Sequence, residues 1–106
     1  MEQRQAELQD TEQQTLMAVV QAHADAISAL GNLQTSHALL VAAQNALAVS
    51  QRRFEKGAAD ILEILNTQAA LADARQERIR CQMEWHSACL RLLANSGAMG
   101  RSAVNP

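Results

Sequence analysis

Few residues in this sequence are of types that do chemistry, and their spacing narrows the field further. His86 and Cys89 stand at i and i+3, so on a helix they share a face on which a metal could bind. That pair is smaller than the ligand set of a structural zinc site, which favours core packing. His23 and His37 are two heptads apart. A pH sensor would need them buried beside a charge, whereas polar layers in a helical seam need nothing more. Cys81 and Cys89, if carried on one helix, are separated by about 12 Å of rise, too far for an intrachain disulfide. They read as small buried hydrophobes or free thiols. Glu63 and Asn66 lie one helical turn apart, just beyond a glycine break. Glu63 there suits a helix cap or a solvated face. The sequence shows no nucleophile motif, glycine-rich phosphate loop or metal signature, and Ala-rich helix faces offer no pocket of converging polar groups. No catalytic residue, metal or cofactor is expected, and an enzyme is not the reading.

The elements that hold these residues must be helices. Ala, Leu and Gln number 21, 13 and 12 of 106 residues, Val and Ile together number nine, and aromatic residues make up 2%. Sheets draw on β-branched and aromatic side chains, while Ala, Leu, Gln, Glu and Arg are strong helix formers. From Glu2 to Lys56 there is no Pro, and only Gly31 disfavours helix. Val19, Ala26, Leu33, Leu40, Leu47 and Phe54 recur every seventh residue, each of the first five followed three residues later by Ala22, Ala29, Ser36, Ala43 or Ser50. Large-then-small at heptad spacing predicts a coiled-coil seam with close backbone approach. A second stripe holds Leu16, His23, Leu30, His37 and Gln44. A helix of this length, about 75 Å, normally belongs to a coiled coil, a bundle or a larger assembly.

The break falls at Lys56-Gly57-Ala58-Ala59-Asp60. Gly57 suits the left-handed position that ends a helix, and Arg52, Arg53 and Lys56 favour the negative end of its dipole. Asp60 is a good N-cap for the next helix, with Glu63 at the capping-box position. The expected organisation is a first helix over 1–56, a tip over 57–60, a second helix over 61–95 and a loose Gly-containing tail over 96–106. The short turn makes the helices antiparallel neighbours. The second helix carries one stripe of Ile61, Leu65, Gln68, Ala72, Ile79, His86, Cys89 and Leu93, and another of Ile64, Leu71, Ala74, Cys81, Trp85, Ala88 and Leu92. A lone hairpin buries one stripe, so two predict packing against further helices or copies of the chain. The fold class is therefore all-α: a long antiparallel two-helix coiled-coil hairpin.

Charge and targeting signals narrow the partners. The net charge is −2, with no basic stripe to neutralise phosphates, so nucleic acid is not an expected partner. Met1 to Asp10 carries Glu2, Glu7 and Asp10 and no apolar run, which does not fit a signal peptide. The longest apolar runs, Leu16–Val20 and Ala38–Ala43, fall far short of a bilayer-spanning helix.

The tip carries a more specific signal. Arg53-Phe54-Glu55-Lys56-Gly57-Ala58-Ala59-Asp60-Ile61-Leu62-Glu63-Ile64-Leu65-Asn66-Thr67-Gln68 resembles the signature of TolC-type outer-membrane efflux channels: an aromatic residue, two variable residues, Gly, then an apolar-acidic-apolar-Leu segment. Ala69 to Arg75 and Leu90 to Gly97 fit the same family's descending helix and its Leu-rich close, so the resemblance runs from about Glu7 to Gly100. It implies a homotrimeric tube, a β-barrel in the outer membrane continued by an α-helical barrel through the periplasm of a Gram-negative bacterium. A periplasmic adaptor protein and an inner-membrane pump would engage its helical end, as in tripartite export or type I secretion. The chain would be the last helical hairpin, a partial piece of that barrel, touching membrane only through a barrel outside this sequence.

By that resemblance Glu63 and Asn66 match positions lining the entrance constriction, where three chains would bring three carboxylates together and attract cations. Asn66 departs from the acidic residue usual there. Phe54 matches an aromatic that helps hold the entrance closed in some members. Gly57 matches the tip glycine contacted by adaptors, Ala58 replaces a frequent Thr or Ser, and Ala59 stands where some members carry a polar or basic locking residue. The alternative is a self-associating coiled-coil protein that stands alone, whose simplest form is a dimeric four-helix bundle.

Overall fold

The computed structural model describes residues 2–104, the side chains of Glu2, Met99 and residues 101–104 excepted. The described residues form helix and one short turn. Helix α1 spans Glu2–Glu55 and helix α2 spans Ile61–Val104. The topology is an antiparallel two-helix hairpin, and the chain divides into two compact units, Gly31–Met83 and Met1–Leu30 with Glu84–Pro106.

The unit Gly31–Met83 contains the tip and pairs the end of α1 with the start of α2. On α1, Ser36, Ala43 and Ser50 are buried, with Leu33, Leu40 and Leu47 half-buried between them. On α2, Ile64, Leu71, Ala74 and Cys81 are buried. These positions follow the alternating three- and four-residue spacing of a heptad seam. Ala43, Leu71 and Ala74 form the centre, with Leu40 and Leu47 packed against it. Ser36 is tolerated in the seam because its hydroxyl donates to the Leu33 carbonyl at 2.7 Å, which keeps that buried polar group paired. The other unit repeats the pattern, with Ala26, Ala29 and Ala88 at its centre and Trp85 and Leu92 laid against them. Asp25 and Arg91 approach to 4.0 Å at its surface.

Apart from Ile64 and Leu71, the buried side chains among the described residues are small. Cys81 is the largest side chain that is fully buried among the described residues. Large apolar side chains lie outside: Ile61, Leu65, Ile79 and Leu93 on α2, and Leu16 and Leu30 on α1, are all exposed. Of the two stripes on α2, the Ile64-Leu71-Ala74-Cys81-Trp85-Ala88-Leu92 stripe faces the seam. The Ile61-Leu65-Ile79-Leu93 stripe and the second stripe of α1 do not.

The structure corrects expectations at the tail and at the tip. The sequence predicts a loose stretch from Ser96, yet α2 continues through it to Val104. Gly97 and Gly100 each cost a helix only about 1 kcal/mol, and neither takes the positive φ that would end it; Asn105 and Pro106 lie outside the described residues. Phe54, the last large position of the predicted seam, is 45% exposed. It sits in the terminal turn of α1, where the backbone is already leaving the helix and the seam has no further layer to receive it.

No helix among the described residues is long and apolar enough to cross a membrane.

Candidate functional site

The tip is where the backbone departs from helix, and its geometry follows from one residue. Gly57 has φ +74°, a left-handed conformation that costs other residues steric energy. Its N–H donates to the Phe54 carbonyl at 3.0 Å, and the Ala58 N–H donates to the Arg53 carbonyl at 2.8 Å. Together these are the two bonds of a Schellman motif, with Gly57 at C′ and Arg53 at C3. The Lys56 N–H closes the last ordinary helical bond to Arg52 at 3.2 Å. The carbonyls of Arg52, Arg53 and Phe54 at the end of α1 are thus satisfied without solvent.

Helix α2 starts with the reciprocal device. Asp60 Oδ1 accepts the Glu63 N–H at 3.1 Å, the side chain-to-N3 bond of an N-cap. The full capping box would return the Glu63 carboxylate to the Asp60 backbone N–H. It goes elsewhere: Glu63 Oε1 lies 2.7 Å from Arg53 Nη1. The second guanidinium nitrogen, Arg53 Nη2, donates to the Ala58 carbonyl at 3.3 Å. Arg53 therefore ties the end of α1, the turn and the first turn of α2 with one planar group, while its own carbonyl holds the Ala58 N–H. Thr67, one turn beyond Glu63, spends its hydroxyl on the Glu63 and Ile64 carbonyls at 3.1 and 3.0 Å.

Around this clamp the tip is open. Gly57, Ala58 and Asp60 are exposed and Ala59 is half-buried. Phe54, Ile61, Leu62 and Leu65 present exposed apolar side chains. Asn66 is exposed on the turn after Glu63. Glu63 and Asn66 are thus brought to the same end of the hairpin as Phe54 and Gly57.

The remaining candidates do not converge. His86, expected in the core, and His23 and His37, expected as polar layers of a seam, are instead exposed. Each directly follows a seam residue (Trp85, Ala22 and Ser36) and so points about 100° away from the buried face. Cys89 is half-buried. No group of three or more His, Cys, Asp or Glu side chains among the described residues could hold a metal ion. Cys81 is buried in the seam as a small hydrophobe, its Sγ 3.7 Å from Glu77 Oε1 and 3.8 Å from Arg80 Nη2. Glu77 and Arg80 form an ion pair along α2, with Arg80 Nε donating to Glu77 Oε2 at 3.1 Å. The hydrogen bonds from Arg80, helped by its positive charge, hold the Glu77 carboxyl below its usual value of 4.5 against a smaller opposing effect of desolvation.

Arg53 is the residue that sequence reasoning missed. The sequence marks it only as a cation at a helix C-terminus. The available signal is its position: Arg53 and Glu63 stand symmetrically on either side of Ala58, so a short antiparallel turn brings opposite charges face to face.

With this arrangement established, comparison with known proteins decides the family. The family model described as outer membrane efflux protein matches residues 1–98. The chain belongs to the outer membrane efflux protein family. Neither a curated protein nor a solved structure matches it. Membership in this family makes the chain a component of efflux transport rather than an enzyme.

Proposed function

We propose that this efflux-family hairpin forms part of the periplasmic tunnel of an outer-membrane channel, with its tip at the entrance. The channel is a homotrimer in the outer membrane and periplasm of a Gram-negative bacterium, engaged at the tip by a periplasmic adaptor protein and an inner-membrane pump. The observation that carries this reading is the tip itself. A glycine-centred turn gathers Glu63, Asn66, Phe54 and Gly57 at one end of a hairpin whose family match covers residues 1–98. Glu63 and Asn66 then line the constriction, Phe54 helps close it, and Gly57 with Ala58 and Ala59 forms the surface the adaptor meets. The exposed apolar stripes on both helices fit a barrel wall, in which each helix touches neighbours on two sides.

The test begins with an antibody to the hairpin. It should recover a protein from the outer membrane that forms pores in planar bilayers. Asn66→Cys should then make conductance sensitive to a charged thiol-reactive reagent that leaves the unsubstituted channel unaffected. A recovered protein found only in the soluble fraction, or Asn66→Cys pores blind to the reagent, would refute the entrance assignment.

A further inference from the structure

A ring of three bare carboxylates should make an entrance strongly cation-selective. In this hairpin the carboxylate is not bare. Glu63 Oε1 lies 2.7 Å from Arg53 Nη1, and both side chains are partly open to solvent. The partner comes from the same chain, so every copy in an assembly brings its own cation along with its own anion. The other acidic side chain of the turn, Asp60, is engaged as the cap of α2. A paired charge acts on a passing ion as a dipole, whose potential falls off faster with distance than that of a lone charge, and mobile salt weakens it further. We infer that Arg53 is a selectivity-determining residue of the entrance, cancelling the charge that Glu63 would otherwise present to permeating ions. This inference rests on the placement of Glu63 under "Proposed function".

Geometry makes the role specific. Arg53 is held at both ends of its fork, by the Glu63 carboxylate and the Ala58 carbonyl, so the cation is positioned rather than free to sweep through solvent. Its backbone is fixed in turn by the Ala58 N–H on the Arg53 carbonyl at 2.8 Å. Neither interaction involves Asn66, the other entrance candidate.

Reversal potentials in asymmetric KCl test this, measured on the bilayer-reconstituted channel with circular dichroism confirming helix content. The unsubstituted channel should discriminate weakly between potassium and chloride. Arg53→Gln leaves three unpaired carboxylates and should raise the cation-to-anion permeability ratio by roughly three- to ten-fold, an effect that shrinks as salt rises. Glu63→Gln leaves three unpaired guanidiniums and should lower the ratio by a similar factor. The double variant should return to the unsubstituted value. Arg53→Lys, which keeps the charge but not the fork, should also stay near it. If Glu63→Gln shifts the ratio and Arg53→Gln does not, Glu63 acts alone and the inference about Arg53 is overturned while the entrance reading stands. If Arg53→Lys behaves as Arg53→Gln, the fork and not the charge matters, which also overturns it. If no variant shifts the ratio, Glu63 is not at the entrance, and both readings fail.

Discussion

Two glycines of α1 and its turn give a test in which the same atom is added in the same empty space with opposite consequences. A Cβ built on Gly31 or on Gly57 meets nothing within 4 Å, so neither substitution by Ala carries a packing penalty. What differs is backbone. Gly31 lies inside α1, and Gly57 has φ +74°. At Gly31, Ala removes the entropic penalty of glycine in a helix and should stabilise the chain by about 0.8–1 kcal/mol. At Gly57, Ala must hold a left-handed conformation costing about 1–2 kcal/mol. A smaller unfolded-state gain of about 0.4–1 kcal/mol opposes that cost. The net is a loss of about 1 kcal/mol, so the two variants should differ by about 2 kcal/mol. Urea unfolding followed by circular dichroism at one fixed chain concentration reads this directly. With a slope of about 1–3 kcal/mol per molar urea, the midpoints should separate by roughly 1 M. A Gly57→Ala variant as stable as the parent would refute the left-handed turn. A Gly31→Ala variant less stable than the parent would refute an open Gly31 face.

Further expectations follow from single contacts. Asp60→Ala removes the side chain that accepts the Glu63 N–H and should cost about 0.5–2 kcal/mol in the same urea assay, with Asp60→Asn largely restoring it. Ala74→Leu forces a larger side chain into a position only 2% exposed and should lower stability by about 1–3 kcal/mol; an unchanged midpoint would mean the seam is looser than described. Because the Glu77 carboxyl is held below 4.5, its contribution is fully present above the unfolded value. It fades as pH falls through the lower folded value, so a comparison of parent and Glu77→Gln should show the difference at neutral pH vanish in acid. Leu65→Gln and Ile79→Gln alter side chains that are 51% and 56% exposed. Each should change the stability of the dilute chain by no more than about 0.5 kcal/mol, while weakening any assembly that covers that stripe, as sedimentation would show.

How far the fold and site are legible depends on the range of the interaction involved. The seam is legible because it repeats: Ala22, Ala29, Ser36, Ala43 and Ser50, each three residues after a larger or equal side chain, mark a buried face. Gly57 and Asp60 are legible because a helix stop and a helix start each use a local residue with few substitutes. The family is legible because the motif around the tip keeps its spacing in a helix-glycine-helix context, and the match over residues 1–98 agrees. The partner of Glu63 is not, because a capping box and a cross-tip ion pair make the same demand on sequence, an acid at N3. Only the turn geometry, which sets Arg53 at 2.7 Å, separates them. The end of α2 escapes the sequence for a related reason: Gly97 and Gly100 lower helix propensity, but neither makes the left-handed turn that would convert that weakness into a stop.

The distribution of side-chain size across the seam bears on what the hairpin is for. Burial of apolar area contributes about 25 cal/mol per Å², so the Ala and Ser positions that make up most of the buried face each contribute little for the residue they order. Ordering each residue costs about 1–2 kcal/mol of backbone entropy. A chain selected to be stable alone would place Leu and Ile in the seam and leave Ala outside. Here Ile64 and Leu71 are the only Ile or Leu side chains buried among the described residues. Ala26, Ala29, Ala43, Ala74 and Ala88 fill the seam beside them, and Ile61, Leu62, Leu65, Ile79, Leu90 and Leu93 are outside with more than half of their area exposed. Small residues let the two helices approach closely, which suits a thin wall, and the large residues remain available on its sides. The same logic explains the tip. A turn held by its own Schellman bonds, its own cap and the Arg53 fork needs no support from neighbours, so its exposed Phe54 and Leu62 are free to meet them.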